Sequence, residues 1–228
     1  MPAPTLAQIL DMLVVDRLLH AGQKQDVLNR GKEQARHLLL DRRAELRRLL
    51  GRQRVSYSVS ELELIASFRF KRLDAPDVLL DEETITEVVA RHLGHGFIRI
   101  DPLKLDFRLV VEAFGGPFAE KNLVVAVDDK PQLMTVALTD PWNTVLLQQL
   151  AEFKKKPIRP VMAPKSEIMR VITEFHGFRR SMRAAEAELA NNLPDIANLE
   201  ALYRVSGMNE LEANDQPVVQ AVWYLLNY

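Results

Sequence analysis

His92 and His95 stand three residues apart, a spacing at which two imidazoles could share a metal ion. A stable site needs further ligands, yet the chain has no cysteine and no carboxylate or third histidine at ligand spacing. The pair reads as two surface imidazoles. Asp81, Glu82 and Glu83 could act as acid and base if a cavity shifted their proton affinities. They stand where a helix begins, however, and acids there meet the positive end of the helix dipole. Thr139-Asp140-Pro141 likewise reads as a helix N-cap. Gly94-His95-Gly96 is no phosphate cradle, because it lacks the third glycine and a preceding strand, and G-x-x-x-x-G-K-[ST] occurs nowhere. No catalytic, metal-binding or nucleotide-binding residue and no cofactor is expected from these positions.

Charge is the stronger signal. From Arg30 to Arg54 nine Lys/Arg stand against three acids, which puts +6 into one segment of a chain whose net charge is −1. Such asymmetry suits an anionic partner, whether an acidic protein face or anionic lipid, or else a solvated helix face. Nucleic acid is not expected, because only leucines, and no base-stacking aromatics, are interleaved with these arginines. Arg42, Arg43, Arg47 and Arg48, at spacings of four and five, are the candidate partner-binding residues, with Leu38, Leu39, Leu46, Leu49 and Leu50 turned the other way. Trp142 and Trp223 read as core packing or as partner anchors.

The elements that must carry these residues fall into three stretches. With 47% hydrophobic and 27% charged residues, the chain of 228 residues can bury cores for two small domains without staples. Its N-terminus has no basic stretch before an apolar run, and nowhere do 18 apolar residues follow one another, so neither a signal peptide nor a membrane span is expected. Apolar residues three and four apart predict helices over 6–19 and 23–50, and Ser60 with Glu63 forms a capping-box pattern for a third over about 61–69. Residues 1–70 are thus expected to form an all-helical subdomain. A polar stretch, Lys71–Asp77, marks a boundary.

Beyond it the pattern predicts a helix over 82–93, a strand over 97–100, a helix over 103–114, a hairpin of 123–127 with 133–138, a helix to about 153, a strand over 158–162 and a helix to about 176. This is an α+β fold, an α/β sandwich with a small mixed sheet over 78–177. Residues 178–228 read as helix and linker, ending in the apolar run Val218–Leu226.

Four features recur in order: His92-Leu93-Gly94, Ile100-Asp101-Pro102-Leu103, Thr139-Asp140-Pro141 and Ala163-Pro164-Lys165-Ser166-Glu167-Ile168. In this succession residues 81–176 resemble the N-terminal domain of bacterial type II secretion and type IV pilus assembly ATPases. The resemblance implies a cytoplasmic adaptor, peripheral to the inner membrane, that docks a hexameric motor onto the cytoplasmic domain of a platform protein. It also implies that Glu212–Val219 is the junction to an ATPase domain lying beyond this chain, which by itself would not be an enzyme. Some family members bind cyclic di-GMP through a repeated glycine-containing pattern, and a sensing domain is the alternative function. Laid on residues 8–31, that pattern meets Gln8 for its arginine, Leu10 and Arg17 for its glycines, and a retained Gln23; a second copy ending at His92 meets Val78 for glycine. A Cβ at those positions blocks close approach to the backbone, so no dinucleotide binding is expected.

Overall fold

In the computed structural model, residues 3–50 and 57–192 are described. Thr5 opens helix α1 (Leu6–Val15) with a capping box, its hydroxyl accepting from Gln8 N and Gln8 Oε1 accepting from Thr5 N at 2.8 Å. Ile9, Leu10 and Leu13 form its buried side. The helix stops short of the expected residue 19 because Arg17 takes a left-handed conformation (φ 56°), while Leu18 N returns to Leu13 O at 2.9 Å. Helix α2 (Ala21–Leu50) runs unbroken through Gly31. Helix α3 (Glu61–Ser67) begins at Ser60 with the expected capping box to Glu63.

Helix α4 (Glu82–His92) is capped by Asp81, which accepts from Thr84 N at 2.8 Å, and it ends as expected at Gly94 (φ 70°) with His95 N returning to Ala90 O. Strand β1 is only Gly96–Phe97. It pairs in parallel with β4 (Ile158–Met162) through Gly96↔Val161 and Phe97↔Met162. Ala163-Pro164 then turns β4 into a helix, leaving residues 99–100 no strand to pair with. The expected helix over 103–114 splits into a 3-10 turn (Pro102–Lys104) and α5 (Phe107–Ala113), and an unforeseen α6 (Gly116–Asn122) follows.

β2 (Val124–Lys130) and β3 (Leu133–Leu138) form the expected antiparallel hairpin, with a register shift between Ala126 and Asp128. β4 adds in parallel beside β3, giving a mixed sheet in the order β1-β4-β3-β2. α7 (Thr144–Lys154) starts later than expected: Asn143, not Thr139 or Asp140, is its cap, accepting from Leu146 N at 3.1 Å. α8 (Lys165–Asn192) does not stop at Gly177, since one glycine costs only about 1 kcal/mol in a helix interior.

Two apolar clusters organise residues 1–180, which form one compact unit. In the first, Val110, Ala119, Leu146, Leu150, Ile168 and Ile172 from α5–α8 pack against the β2, β3 and β4 side chains. The second joins Leu10, Leu13, Val27, Ile65, Ile85 and Val89 from α1–α4 and reaches the sheet through Met162. The expected boundary stretch is bonded to its surroundings: Leu73 N donates to Leu18 O, Leu80 N to Phe70 O, and Lys71 bridges Leu79. Residues 181–228 form a second unit, described as far as the end of α8. Trp223, Val218–Leu226, the junction Glu212–Val219, Arg52 and Arg54 lie outside the described residues.

Candidate interaction site

The four candidate arginines lie on the last three turns of α2 but do not act alike. Arg42 turns to carboxylates, with Nη1 2.8 Å from Glu45 Oε2 and Nε 3.3 Å from Glu63 Oε1. Arg43, Arg47 and Arg48 are exposed. Of these, Arg43 and Arg47 are four residues apart and therefore neighbours on one helical side. Arg47 and Arg48 also occupy the last turn of α2, where cations meet the negative end of the helix dipole. Leu38 and Leu39 are half-buried and Leu40 is exposed.

Arg42 leads into a buried polar cluster that the sequence did not announce. Glu63 (6% exposed) and Lys165 (5% exposed) form an ion pair at 3.2 Å. The Tyr57 hydroxyl also donates to Glu63, and the Lys165 ammonium donates to Ser58 O while standing 3.8 Å from the centre of the Tyr57 ring. Glu82 Oε1 accepts from Lys165 N at 3.0 Å, so one of the acids at the start of α4 serves the first turn of α8 instead. Burial raises the proton affinity of Glu82, and the nearby Glu63 charge adds to it, against hydrogen bonds from Ser166 and the α8 backbone. Burial likewise lowers the Lys165 pKa, opposed by Glu63, and raises that of Tyr57, reinforced by the Glu63 hydrogen bond and charge. The Lys165 donors are occupied, so the cluster binds helices to one another rather than offering a base or nucleophile. Only the capping box at Ser60 and Glu63 could have pointed to it, and that signal accounts for Glu63 without any partner.

The remaining candidates disperse. His92 Nε2 lies 3.0 Å from Asp16 Oδ1, beside an Arg91–Asp16 ion pair, whereas His95 and Trp142 stand edge to face with ring centres 6.4 Å apart. Trp142 is half-buried and packs against the α1–α4 cluster. Among the described residues no group of three metal-ligating side chains converges. Glu83 pairs with Arg99 at 3.4 Å. At the positions of the dinucleotide pattern, Gln8 caps α1 and Gln23 accepts from His20 N at 3.1 Å. Leu10 is wholly buried, Arg17 keeps the left-handed conformation that favours glycine, and Val78 is exposed.

Comparison with known proteins fits this succession of elements. The family model described as MshEN domain matches residues 93–182, from the end of α4 well into α8. The type IV pilus assembly ATPase TfpB of Acinetobacter baylyi is 26% identical over 171 residues, which is 73% of this chain. Residues 93–182 thus match the MshEN domain, and the chain is similar to part of a type IV pilus assembly ATPase. The MshEN segment supplies the whole four-stranded sheet and α5–α7. The chain spans 28% of the length of TfpB. A structure of MshE with cdg is 15% identical and covers 76% of this chain and 99% of that one, at a TM-score of 0.46. The N-terminal domain of XpsE is 16% identical and covers 75% and 96%, at a TM-score of 0.41. No helix among the described residues is long and apolar enough to cross a membrane.

Proposed function

We propose that this chain is the adaptor region of a secretion or pilus motor, attaching it to the cytoplasmic domain of an inner-membrane platform protein. The observation that supports this reading is the exposed basic end of α2. Its neighbour Arg42 is held by Glu63 and Glu45, while Arg43, Arg47 and Arg48 remain turned to solvent. A concentrated positive face accelerates and orients encounter with an acidic surface, and its effect weakens with salt because the screening length is about 8 Å at physiological ionic strength. In this reading the motor is hexameric, stands on the cytoplasmic side and meets the membrane through its partner. The chain itself hydrolyses no ATP, since it has no phosphate loop.

The test is binding of the Arg43→Glu/Arg47→Glu double variant to the cytoplasmic domain of the cognate platform protein. Binding at low salt should weaken about tenfold or more, while the melting temperature stays within about 3 °C, as expected for changes on an exposed helix face. Unchanged binding at low salt would place the docking surface elsewhere. Loss of binding to anionic vesicles, with platform binding intact, would make lipid the partner of this face.

One observation favours the alternative, cyclic di-GMP sensing, as the MshE structure with cdg suggests. Arg17 stands at a glycine of the pattern and keeps a glycine-like φ of 56°. Calorimetry with cyclic di-GMP decides: a dissociation constant in the low-micromolar range would establish this reading, and no heat would leave docking alone.

A further inference from the structure

The end of α7 exposes a large aromatic side chain directly before three lysines, Phe153-Lys154-Lys155-Lys156. Phe153 is 71% exposed, and Phe118 on α6 is 38% exposed. The two are linked through Lys154, whose ammonium lies 5.1 Å from the centre of the Phe153 ring and 5.4 Å from that of Phe114, which in turn packs against Phe118 at 6.0 Å. Lys156 is committed to Asp129, and the adjoining Lys130 to Asp128. Lys154 and Lys155 have no acid within ion-pair distance among the described residues.

We infer that this corner of α6 and α7 is a second docking face, distinct in residues from the basic end of α2, and that it takes a protein segment pairing a carboxylate with a large apolar side chain. The carboxylate would meet Lys154 between its two rings while the apolar group covers Phe153 and Phe118. An aromatic anchor ringed by near-neutral contacts is the usual composition of an interface centre. Solvent already reaches Lys154 poorly, so a carboxylate arriving there is screened less than at a free surface lysine.

Charge distinguishes this partner from a membrane. Beside the phenyls, the exposed Lys121 and Lys155 and the half-buried Lys154 stand against the exposed Glu120 and Glu152, a small positive excess. Anionic lipid recognition takes clusters of about 4–8 basic residues. The corner falls short of that, whereas one placed carboxylate uses one placed ammonium.

The probe is a fluorescein-labelled peptide alternating Glu with Leu and Phe, titrated against the full chain by anisotropy and followed by amide chemical shifts. Shifts are expected at 114–121 and 150–156, and Phe153→Ser and Lys154→Gln should each weaken binding about tenfold, as for an interface anchor. Both substitutions fall on residues outside the buried cores, so the melting temperature reports that each variant is folded. No shifts at these residues up to millimolar peptide would overturn the inference. So would equal binding of a peptide with Gln for every Glu, or shifts with phosphatidylglycerol vesicles and none with the peptide.

Discussion

Glu63 and Lys165 stand 102 positions apart in the chain and 3.2 Å apart in the fold, both withdrawn from water. Each has other partners: Glu63 takes the Tyr57 hydroxyl and Arg42, and Lys165 takes Ser58 O and the face of the Tyr57 ring. A buried pair repays its desolvation only when its remaining donors and acceptors are satisfied, which is the arrangement seen here. Lys165→Ala leaves the Glu63 charge buried without its main counter-ion and should destabilise the protein by about 3 kcal/mol. The double variant Glu63→Gln/Lys165→Met should lose clearly less than the sum of the single changes. Urea unfolding of Glu63→Gln, Lys165→Met and the double variant measures the coupling, and additive losses would show that the pair is not a unit.

His176 is buried at 3% exposure with neither ring nitrogen hydrogen-bonded in the described structure. Burial lowers its pKa, and the charges of Arg179 and Arg180 lower it further. Between that lowered value and the unfolded value near about 6.5, the unfolded chain binds more protons than the folded one. This contribution to stability is complete above about pH 7 and is lost as the pH falls below about 6.5. A His176→Leu variant should show a shallower acid loss when urea midpoints are compared at successive pH values.

Gly116 makes room for that histidine. A Cβ on Gly116 would lie 3.2 Å from His176 Nδ1 and 3.3 Å from Cγ, tighter than ordinary contact, against a buried side chain. Gly116→Ala should therefore destabilise by about 1–3 kcal/mol, the usual cost of overpacking. Combining it with His176→Ala should recover part of the loss, and thermal melting of both checks this.

Arg17 holds a φ of 56° at the end of α1, where the returning Leu18 N–H and the burial of Leu13 and Leu18 fix the turn. A side chain in the left-handed region costs about 1 kcal/mol or more. Arg17→Gly should stabilise the protein, by less than that cost because glycine also frees the unfolded chain, so about 0.5 kcal/mol is expected. The reverse test is Gly94→Ala at φ 70°, which should destabilise by about 1 kcal/mol.

We propose the segments 1–70, 78–177 and 178–228 as the working division of the chain, and limited proteolysis with a nonspecific protease tests it. The first cuts should fall at the exposed residues 76–79 or beyond Gly177. A chain nicked at 76–79 should stay together on size exclusion, because α1–α3 share an apolar cluster with α4. First cuts inside 97–162 would count against it.

Short-range physics was legible in the residues alone. The hairpin of β2 and β3 follows from β-branched runs between turn residues, the start of α3 from Ser60 and Glu63, and the end of α4 from Gly94. Each of these signals acts within a few residues. Where local cues were weak, packing decided: α1 turns back at Arg17 without a glycine, α8 continues through Gly177, and Asn143 displaces Thr139 and Asp140 as the cap of α7. A local preference is worth about 1 kcal/mol, and burying one large apolar side chain about 1.5–3, so tertiary contacts override it. The candidate site divides in the same way. The basic run of α2 was visible as a count of charges, but that Arg42 belongs to Glu63 while Arg43 and Arg47 face solvent depended on which helices came together. No pattern in the chain joins Lys165 to Glu63, because the carboxylate that completes the start of α8 stands on α4 and the one that pairs with its lysine stands on α3.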